Sequence, residues 1–455
     1  MMRVDQVSES FSLAWVDELW EKAGSHVILR DEDRVLILPP NRVYHVNSTA
    51  SRMIHWLMDG HRIVDMPELK EQRERALQVD AFFRNIALAL GNKPHEADRV
   101  PFTFDYTKLP ILGEIAVTYR CNNRCRFCYA GCDGACGRLD APDTPIESLK
   151  KVIAIFRHEA KIPFFSFTGG EPLMRRDLEE LMRYACDLGL NINLVTNGCL
   201  ATAARAKSLY DAGLRTAQIS LESPDASIHD ALCGRSGAWK ETVAGIQNLR
   251  DAGISVQTNS TTTQKNIHTL PELPKFVKDL GCVRLSVNLF VPTKRSPVND
   301  ALFVPYEHIG PTVDAMRRAS RAADIEFHWY SPIPLCIYNP IARGLGNKNC
   351  AACDGLISVD PTGNVLPCSS WDEPVGNLLT DGFEKTWFGN RAQAIKNKCF
   401  AHKVCQTCSA FKACQGACPL YWQYAGYDAL LRHAEPYIRS SGDDCDTWMG
   451  QQGEG

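Results

Sequence analysis

The first hundred residues of this 455-residue chain contain no cysteine, although nineteen follow. No stretch approaches the roughly 18 uninterrupted apolar residues of a membrane span. Met1–Leu13 carries Arg3, Asp5 and Glu9 and has no apolar core of signal-peptide type. Neither sign of charge dominates. The net charge of −3 gives no basic surface for nucleic acid or an anionic membrane. These absences set the expectation of a cytoplasmic protein with neither a nucleic-acid nor a membrane partner.

What is present is 45% hydrophobic and 23% charged, ordinary for a soluble globular chain. At roughly 150 residues per domain, the length predicts two to four domains. An odd number of cysteines in a long chain without an export signal points to metal ligands or catalytic thiols rather than disulfides. They are dense in two segments only, Cys121–Cys136 and Cys336–Cys445.

Three regions separate along the chain: residues 1–95, 110–310 and 330–455. In the first, apolar residues at Val27, Leu29, Val35, Ile37 and Leu38 flank the polar turn Arg30–Arg34, which predicts a hairpin. Val43–Val46 adds a short strand. Ser48 or Thr49 caps a helix through Leu57 that Gly60 stops, and a further helix runs over Leu77–Leu90. In the second region, strand-like runs occur at Glu114–Tyr119, Pro163–Phe167, Ile192–Val195, Thr216–Leu221, Ser255–Thr258 and Arg284–Phe290. Helical patterns lie between them. Thr144-Pro145-Ile146-Glu147 reads as a capping box with proline at the first helical position. Gly189, Gly213, Gly253 and Gly281 close later helices. Such alternation implies a parallel sheet with its chemistry at the carboxyl ends of the strands. The third region has weak periodicity and many Gly, Pro and Cys residues, so it is expected to fold around metal.

Cys121-Asn-Asn-Arg-Cys125-Arg-Phe-Cys128 follows the first predicted strand. Three thiolates on one loop can hold three irons of a 4Fe–4S cube and leave the fourth open. A structural zinc knuckle is the alternative, with Cys132 or His158 as fourth ligand. The second strand ends in Phe167-Thr168-Gly169-Gly170-Glu171-Pro172. Paired glycines let backbone approach a ligand closely, and Glu171 can receive an ammonium group.

With those two motifs the chain resembles the radical SAM superfamily over roughly residues 110–295. The resemblance implies a partial (β/α)6 barrel. It implies that Cys121, Cys125 and Cys128 bind the catalytic cluster, and that S-adenosylmethionine (SAM) chelates the open iron. Gly169, Gly170 and Glu171 would hold the methionyl amine, and the backbone at Tyr129 would approach the adenine. Thr196, Ser220, Glu222 and Asn259 stand where family members contact ribose and carboxylate. Arg235 is either a SAM-carboxylate ligand or a surface residue. The implied chemistry is reductive cleavage of SAM to a 5′-deoxyadenosyl radical, fed by an external flavodoxin- or ferredoxin-like donor.

A second field, Cys405-x2-Cys408-x5-Cys414-x3-Cys418, follows Gly363-Asn-Val-Leu-Pro-Cys368 and precedes Cys445. It resembles the SPASM module of radical SAM peptide-modifying enzymes. The resemblance implies two auxiliary clusters. One uses Cys405, Cys408, Cys414 and Cys445. The other uses Cys368 and Cys418 with two of Cys336, Cys350 and Cys353, Cys336 and Cys350 being favoured. A zinc ribbon is the bland alternative. Cys186, Cys199, Cys233 and Cys282 read as small core residues. Cys399 fits no spacing, and the roles of Cys132 and Cys136 stay open.

Residues 26–90 resemble PqqD-like peptide-recognition domains in Arg30–Pro39, Val46–Ala50 and Asp59-Gly60. Such domains pair a precursor peptide with an exposed sheet edge; a helical cap over the barrel is the alternative. The whole expectation is an α/β chain. It comprises a partial (β/α)6 radical SAM barrel, an N-terminal winged-helix-like domain and a C-terminal cysteine-rich iron–sulfur domain. The expected activity is crosslinking of a ribosomally made precursor peptide, with a small molecule or tetrapyrrole as the alternative substrate. The sequence names no catalytic acid or base.

Overall fold

A computed structural model of the chain describes residues 12–38, 42–69, 73–91, 107–131, 143–296 and 300–434. Cys132, Cys136 and Cys445 lie outside these residues. Two compact units form, Met1–Leu109 and Pro110–Gly455.

The first unit holds an antiparallel sheet in the order β1 (Ile28–Arg30), β2 (Val35–Leu38), β3 (Arg42–His45). Ile28 pairs with Ile37 and Arg30 with Val35, as the hairpin pattern predicts. The turn is pinned by Arg30, whose guanidinium donates twice to Asp33 at 2.8 Å. Helices Ala14–Ala23, Ser48–Met58 and Arg73–Leu90 surround the sheet. Val16, Leu36, Leu38, Ile54 and Phe83 form their common core. Asn47, not Ser48 or Thr49, caps the second helix, accepting from Ala50 N at 2.8 Å. The helix starts one residue earlier than the pattern suggests, and the Asn amide oxygen serves the same purpose.

The second unit is built on one ten-stranded sheet. Its six central strands are β4 (Leu112–Thr118), β5 (Phe164–Gly169), β6 (Asn191–Thr196), β7 (Thr216–Ser220), β8 (Ser255–Thr262) and β9 (Arg284–Leu289). They are parallel and adjacent in sequence order. The sequence did not anticipate the strands that extend this row. β10 (Glu326–Trp329) adds in parallel to β9, and β11 (Leu356–Val359) adds in parallel to β4. β12 (Asn364–Leu366) and β13 (Gly376–Asn377) complete the sheet antiparallel. These strands have two to four residues, too few to show a period. The cysteine-rich region therefore carries regular structure, and it also buries Trp371, Trp387 and Trp422.

A parallel sheet covered on both faces reads as continuous apolar runs. Here the central strands alternate instead. Ile115, Phe165, Phe167, Leu194, Ile219, Val256 and Leu285 are buried on the helix side. On the other side Asn193 donates to Ser166 Oγ at 3.1 Å, Gln257 to Gln218 at 3.0 Å and Ser286 to Asn259 Oδ1 at 3.0 Å. A polar inner face of this kind suits a bound, hydrated or charged molecule.

The four helix-closing glycines all adopt left-handed φ, from 75° to 102°, as expected. The capping box at Thr144–Glu147 is absent. Pro145 stands outside the helix with ψ 136° and no side chain caps it, while Glu147 accepts from Lys150 Nζ at 3.0 Å.

Candidate active site and thiol clusters

The cysteine loop leaves the carboxyl end of β4, and Cys121, Cys125 and Cys128 are all half-buried. Cys121 Sγ accepts from Asn123 N at 3.4 Å and lies 3.9 Å from Asn197 Nδ2. The back of the loop rests on the end of helix Ala226–Cys233. Arg124 N donates to Cys233 O at 3.0 Å and Arg126 N to Leu232 O at 2.9 Å. Gly234 permits this approach, because a Cβ there would lie 2.3 Å from Arg124 O. Arg235 braces the same loop, donating to Asn123 Oδ1 at 2.7 Å and to Glu241 at 2.6 Å. It is therefore neither a free surface residue nor, in this arrangement, aimed at a ligand. His158 is exposed at the end of helix Ile146–His158, near the amino end of β5. That is the opposite end of the sheet, so it supplies no fourth ligand to the loop.

Cys233 is buried in the core, as its isolation in sequence suggested, but it has reactive neighbours there. Its thiol is 3% exposed, hydrogen-bonds Cys125 and lies 3.4 Å from His229 Nε2. This shared bond, with burial behind it, pushes the Cys125 thiol well above its ordinary pKa. A ligand thiolate at Cys125 would leave Cys233 as the donor of that bond. The signal available in sequence was His229-x3-Cys233, one turn apart on a helix.

The Gly169-Gly170-Glu171 turn meets this loop edge to edge. Gly170 N donates to Thr118 O and Glu171 N to Arg120 O, both at 2.8 Å. At Gly169, with φ 136°, a Cβ would lie 2.1 Å from Thr118 O, and at Gly170 it would lie 2.4 Å from Arg120 O. The glycines thus serve first to dock the two loops. Glu171 is fully buried. Its carboxylate accepts from Leu173 N at 2.9 Å, Thr196 Oγ1 at 2.6 Å and Asn197 N at 2.8 Å. Burial nevertheless raises its pKa, with those bonds opposing. Thr196 is accordingly engaged with Glu171.

Ser220 and Asn259 are partners across β7 and β8 on the polar face. Glu222 is 1% exposed and accepts from Thr261 N at 2.7 Å. Burial raises its pKa strongly, and the nearby Cys233 adds to the rise. Tyr129 and the strand residue Glu114 share a small cavity with Thr168 and Ser369. Burial raises both pKa values, and Ser358 Oγ donates to Glu114. At the far edge of the inner face Glu326 is gripped by His328 Nε2 at 2.9 Å and by Arg284 at 2.8 Å. These bonds, His328 first, hold its pKa down at about 2. Glu114 and this trio were invisible in the sequence, since their partners are distant in the chain.

The second cysteine field divides into two groups. Cys336, Cys405, Cys408 and Cys414 line one cavity. Cys350, Cys353 and Cys368 pack in one cluster with Trp371, and Cys418 faces Cys350 and Cys368. Leu335 N bonds to Cys414 Sγ at 3.4 Å and sets the neighbouring Cys336 beside Cys414, while Cys353 packs beside Cys350.

The donor chemistry fits cluster ligation. A thiol is a weak acceptor, yet backbone N–H groups point at Cys121, Cys408 and Cys414. Amides directed at sulfur favour thiolates and tune iron–sulfur centres. Among the described residues, Asn123 Nδ2 and Asn288 Oδ1 are buried without a hydrogen-bond partner, as expected where a ligand completes a site.

Residues 115–277 match the radical SAM superfamily model, and residues 350–410 match the SPASM iron–sulfur cluster-binding domain model. Radical SAM and SPASM domains are thus present, and the chain is an enzyme whose cofactors are SAM and 4Fe–4S clusters. An AdoMet-dependent heme synthase from Nitratidesulfovibrio vulgaris is 29% identical over 65% of this chain and 86% of its own length. A PqqA peptide cyclase from Bradyrhizobium diazoefficiens is 24% identical over 68% of this chain and 81% of its own. In fold, the chain is similar to Streptococcus suis SuiB bound to precursor peptide SuiA. That match has a TM-score of 0.66 at 15% identity and covers 91% of this chain and 98% of SuiB. No described helix is long and apolar enough to cross a membrane.

Proposed function

We propose that this chain is a maturase that modifies a ribosomally made precursor peptide by radical SAM chemistry, forming a thioether, carbon–carbon or related crosslink. Cys121, Cys125 and Cys128 hold the catalytic cluster. Glu171 and the Gly169-Gly170 backbone receive the methionyl amine. Tyr129, Ser220, Glu222 and Asn259 surround the rest of SAM, and the C-terminal thiols hold two auxiliary clusters. When bound, cluster and SAM supply the one-electron cleavage that yields a 5′-deoxyadenosyl radical. The polar inner face orients the reacting segment and shields it from bulk water. On that face His328, steadied by Glu326, is the imidazole able to exchange a proton with substrate. An external flavodoxin- or ferredoxin-like protein delivers the electron.

The observation that carries the peptide reading is the separate N-terminal unit, residues 1–109, with its outer strands β1 and β3. An outer strand can pair with an extended peptide. The likeness to SuiB supports it, since a match over 91% leaves fewer residues uncovered than this unit contains. A second reading, oxidation of a tetrapyrrole, is favoured by the higher identity to heme synthase. Reduced, reconstituted enzyme given SAM should convert a short peptide encoded beside its own gene, with a mass change and stoichiometric 5′-deoxyadenosine. Turnover of an iron porphyrin carboxylate with inertness toward every such peptide would instead establish the second reading.

A further inference from the structure

Tyr330 follows the carboxyl end of β10, the end of the parallel row from which the cysteine loop leaves β4. Its amide extends the ladder, donating to Val287 O at 2.9 Å. Its ring lies on the inner face with His328, their centroids 5.9 Å apart. Trp329 between them is buried on the helix side. The Tyr330 side chain is nevertheless 45% exposed, so its ring is open to what the inner face binds.

Lys348 stands over this ring, with Nζ 6.0 Å from the centroid. It is half-buried, and among the described residues it makes no hydrogen bond or ion pair. Other cations of this unit are paired, Arg284 with Glu326 at 2.8 Å and Lys398 with Asp354 at 3.3 Å. A ring face attracts a cation but leaves the three N–H donors of an ammonium unused. A partly desolvated charge without a counter-ion is costly, so a molecule that brings one gains affinity. The residues on either side are in a similar condition. Asn347 Nδ2, Asn347 Oδ1 and Asn349 Oδ1 are buried with no hydrogen-bond partner among the described residues. Three consecutive side chains thus lack the partners that buried polar groups normally have. The ammonium and the amide N–H call for a carboxylate. The amide oxygens call for N–H donors. An acidic residue within a peptide offers both, from its side chain and from its backbone. The carboxylates of an iron porphyrin meet only the first demand, because the ring nitrogens hold the metal.

We propose that Lys348 anchors a carboxylate of the substrate, the side chain of an Asp or Glu residue in the peptide, against Tyr330 and between Asn347 and Asn349. The anchor brings the residues next to that acid toward His328. This inference names a recognition element of the substrate and rests on the peptide reading above.

The site is tested first on full-length, reconstituted enzyme, by acetylating its amines with an activated ester and locating the products by mass spectrometry. Two probes are compared at equal ionic strength, N-acetylglutamate methylamide and the uncharged N-acetylglutamine methylamide. The glutamate probe should slow acetylation of Lys348 about fivefold at four times its dissociation constant and leave the exposed Lys207 unaffected. The glutamine probe at the same concentration should slow it less than about twofold. Equal effects of the two probes on Lys348, or none from either, overturn the carboxylate assignment. Wild type, Lys348→Met and Lys348→Arg are then given the peptide encoded beside the gene, native and with each Asp or Glu replaced in turn by its amide. Lys348→Met should raise KM about tenfold or more, with a smaller change in kcat, and Lys348→Arg should restore most of the loss. One amide replacement should cost wild type as much as Lys348→Met does and cost the Met variant nothing further. Additive losses at every acidic position would overturn the anchor while leaving the peptide reading intact. A wild type that converts no peptide, yet is protected at Lys348 by the glutamate probe alone, would sink the peptide reading and leave the carboxylate site standing.

Discussion

Glu171 is a brace that the proposed function also makes a binding group. Its carboxylate ties β5 to the start of the β6 loop through three donors, yet burial keeps its pKa raised. A raised carboxyl pKa costs stability as pH climbs from the ordinary carboxylate range through the raised value, because only the unfolded chain then ionises freely. A ligand ammonium would relieve that cost, since it favours the charged form. SAM affinity should therefore fall as pH drops toward the raised pKa. Glu171→Gln should weaken binding at least tenfold and flatten that pH dependence, which calorimetric titration at several pH values would reveal. The variant also sets an NH2 group against Asn197 N–H, so a local loss of about 1–3 kcal/mol is expected. Affinity that stayed pH-independent in wild type would remove Glu171 from the binding site. The neighbouring glycine is a purely steric matter. Gly169→Ala puts a methyl 2.1 Å from Thr118 O and should undo the loop docking. Gly60→Ala, at φ 83° with open space around it, should cost only about 1 kcal/mol of backbone strain. Comparing the thermal transitions of the two variants checks the contrast.

Elements decided where sequence reading worked. The cysteine triplet and the Gly-Gly-Glu turn are local patterns, and their neighbours in space are their neighbours in the chain. The six central strands were legible because each has an apolar face and four of them follow a glycine-closed helix. What escaped detection is non-local. Cys233 meets Cys125 across more than a hundred residues, and Glu114 meets Ser358 through the pairing of β4 with β11. The destination of Cys336 depended on a turn held by Cys414, which no spacing encodes. Helix Ala226–Cys233 is the element where this matters for chemistry, because it carries the thiol that hydrogen-bonds Cys125. Hydrogen bonds to cluster sulfurs raise reduction potential. Replacing that donor by a shape-conserving apolar group, Cys233→Val, should keep four irons at the catalytic site. It should lower that cluster's midpoint potential by on the order of 50 mV, about a tenfold change in a one-electron equilibrium. A redox titration followed by electron paramagnetic resonance measures this directly, and an unshifted potential would assign Cys233 a packing role only.

At the scale of the whole molecule, the chain divides into two units, and the proposed function assigns recognition to the first and chemistry to the second. The proposed cluster and SAM ligands all lie beyond residue 110, so the second unit contains what SAM cleavage needs. The first unit offers a small sheet in the order β1-β2-β3. Main-chain pairing there supplies affinity without dictating which side chain reacts. Tethering the leader of a peptide raises the local concentration of its reacting end, plausibly into the millimolar range for a short flexible link. Most of the benefit is lost if the leader is removed, even though the reacting residues are intact. Deleting residues 1–109 should therefore reduce turnover of a full-length precursor by roughly 100-fold or more. Uncoupled formation of 5′-deoxyadenosine should continue, since its ligands remain. A peptide trimmed of its leader should be modified equally slowly by the full-length and truncated enzymes. Chromatographic quantitation of 5′-deoxyadenosine beside mass spectrometry of the peptide reads both activities in one reaction. Undiminished peptide turnover by the truncated enzyme would show that the barrel alone recognises its substrate, and the N-terminal sheet would then need another occupant.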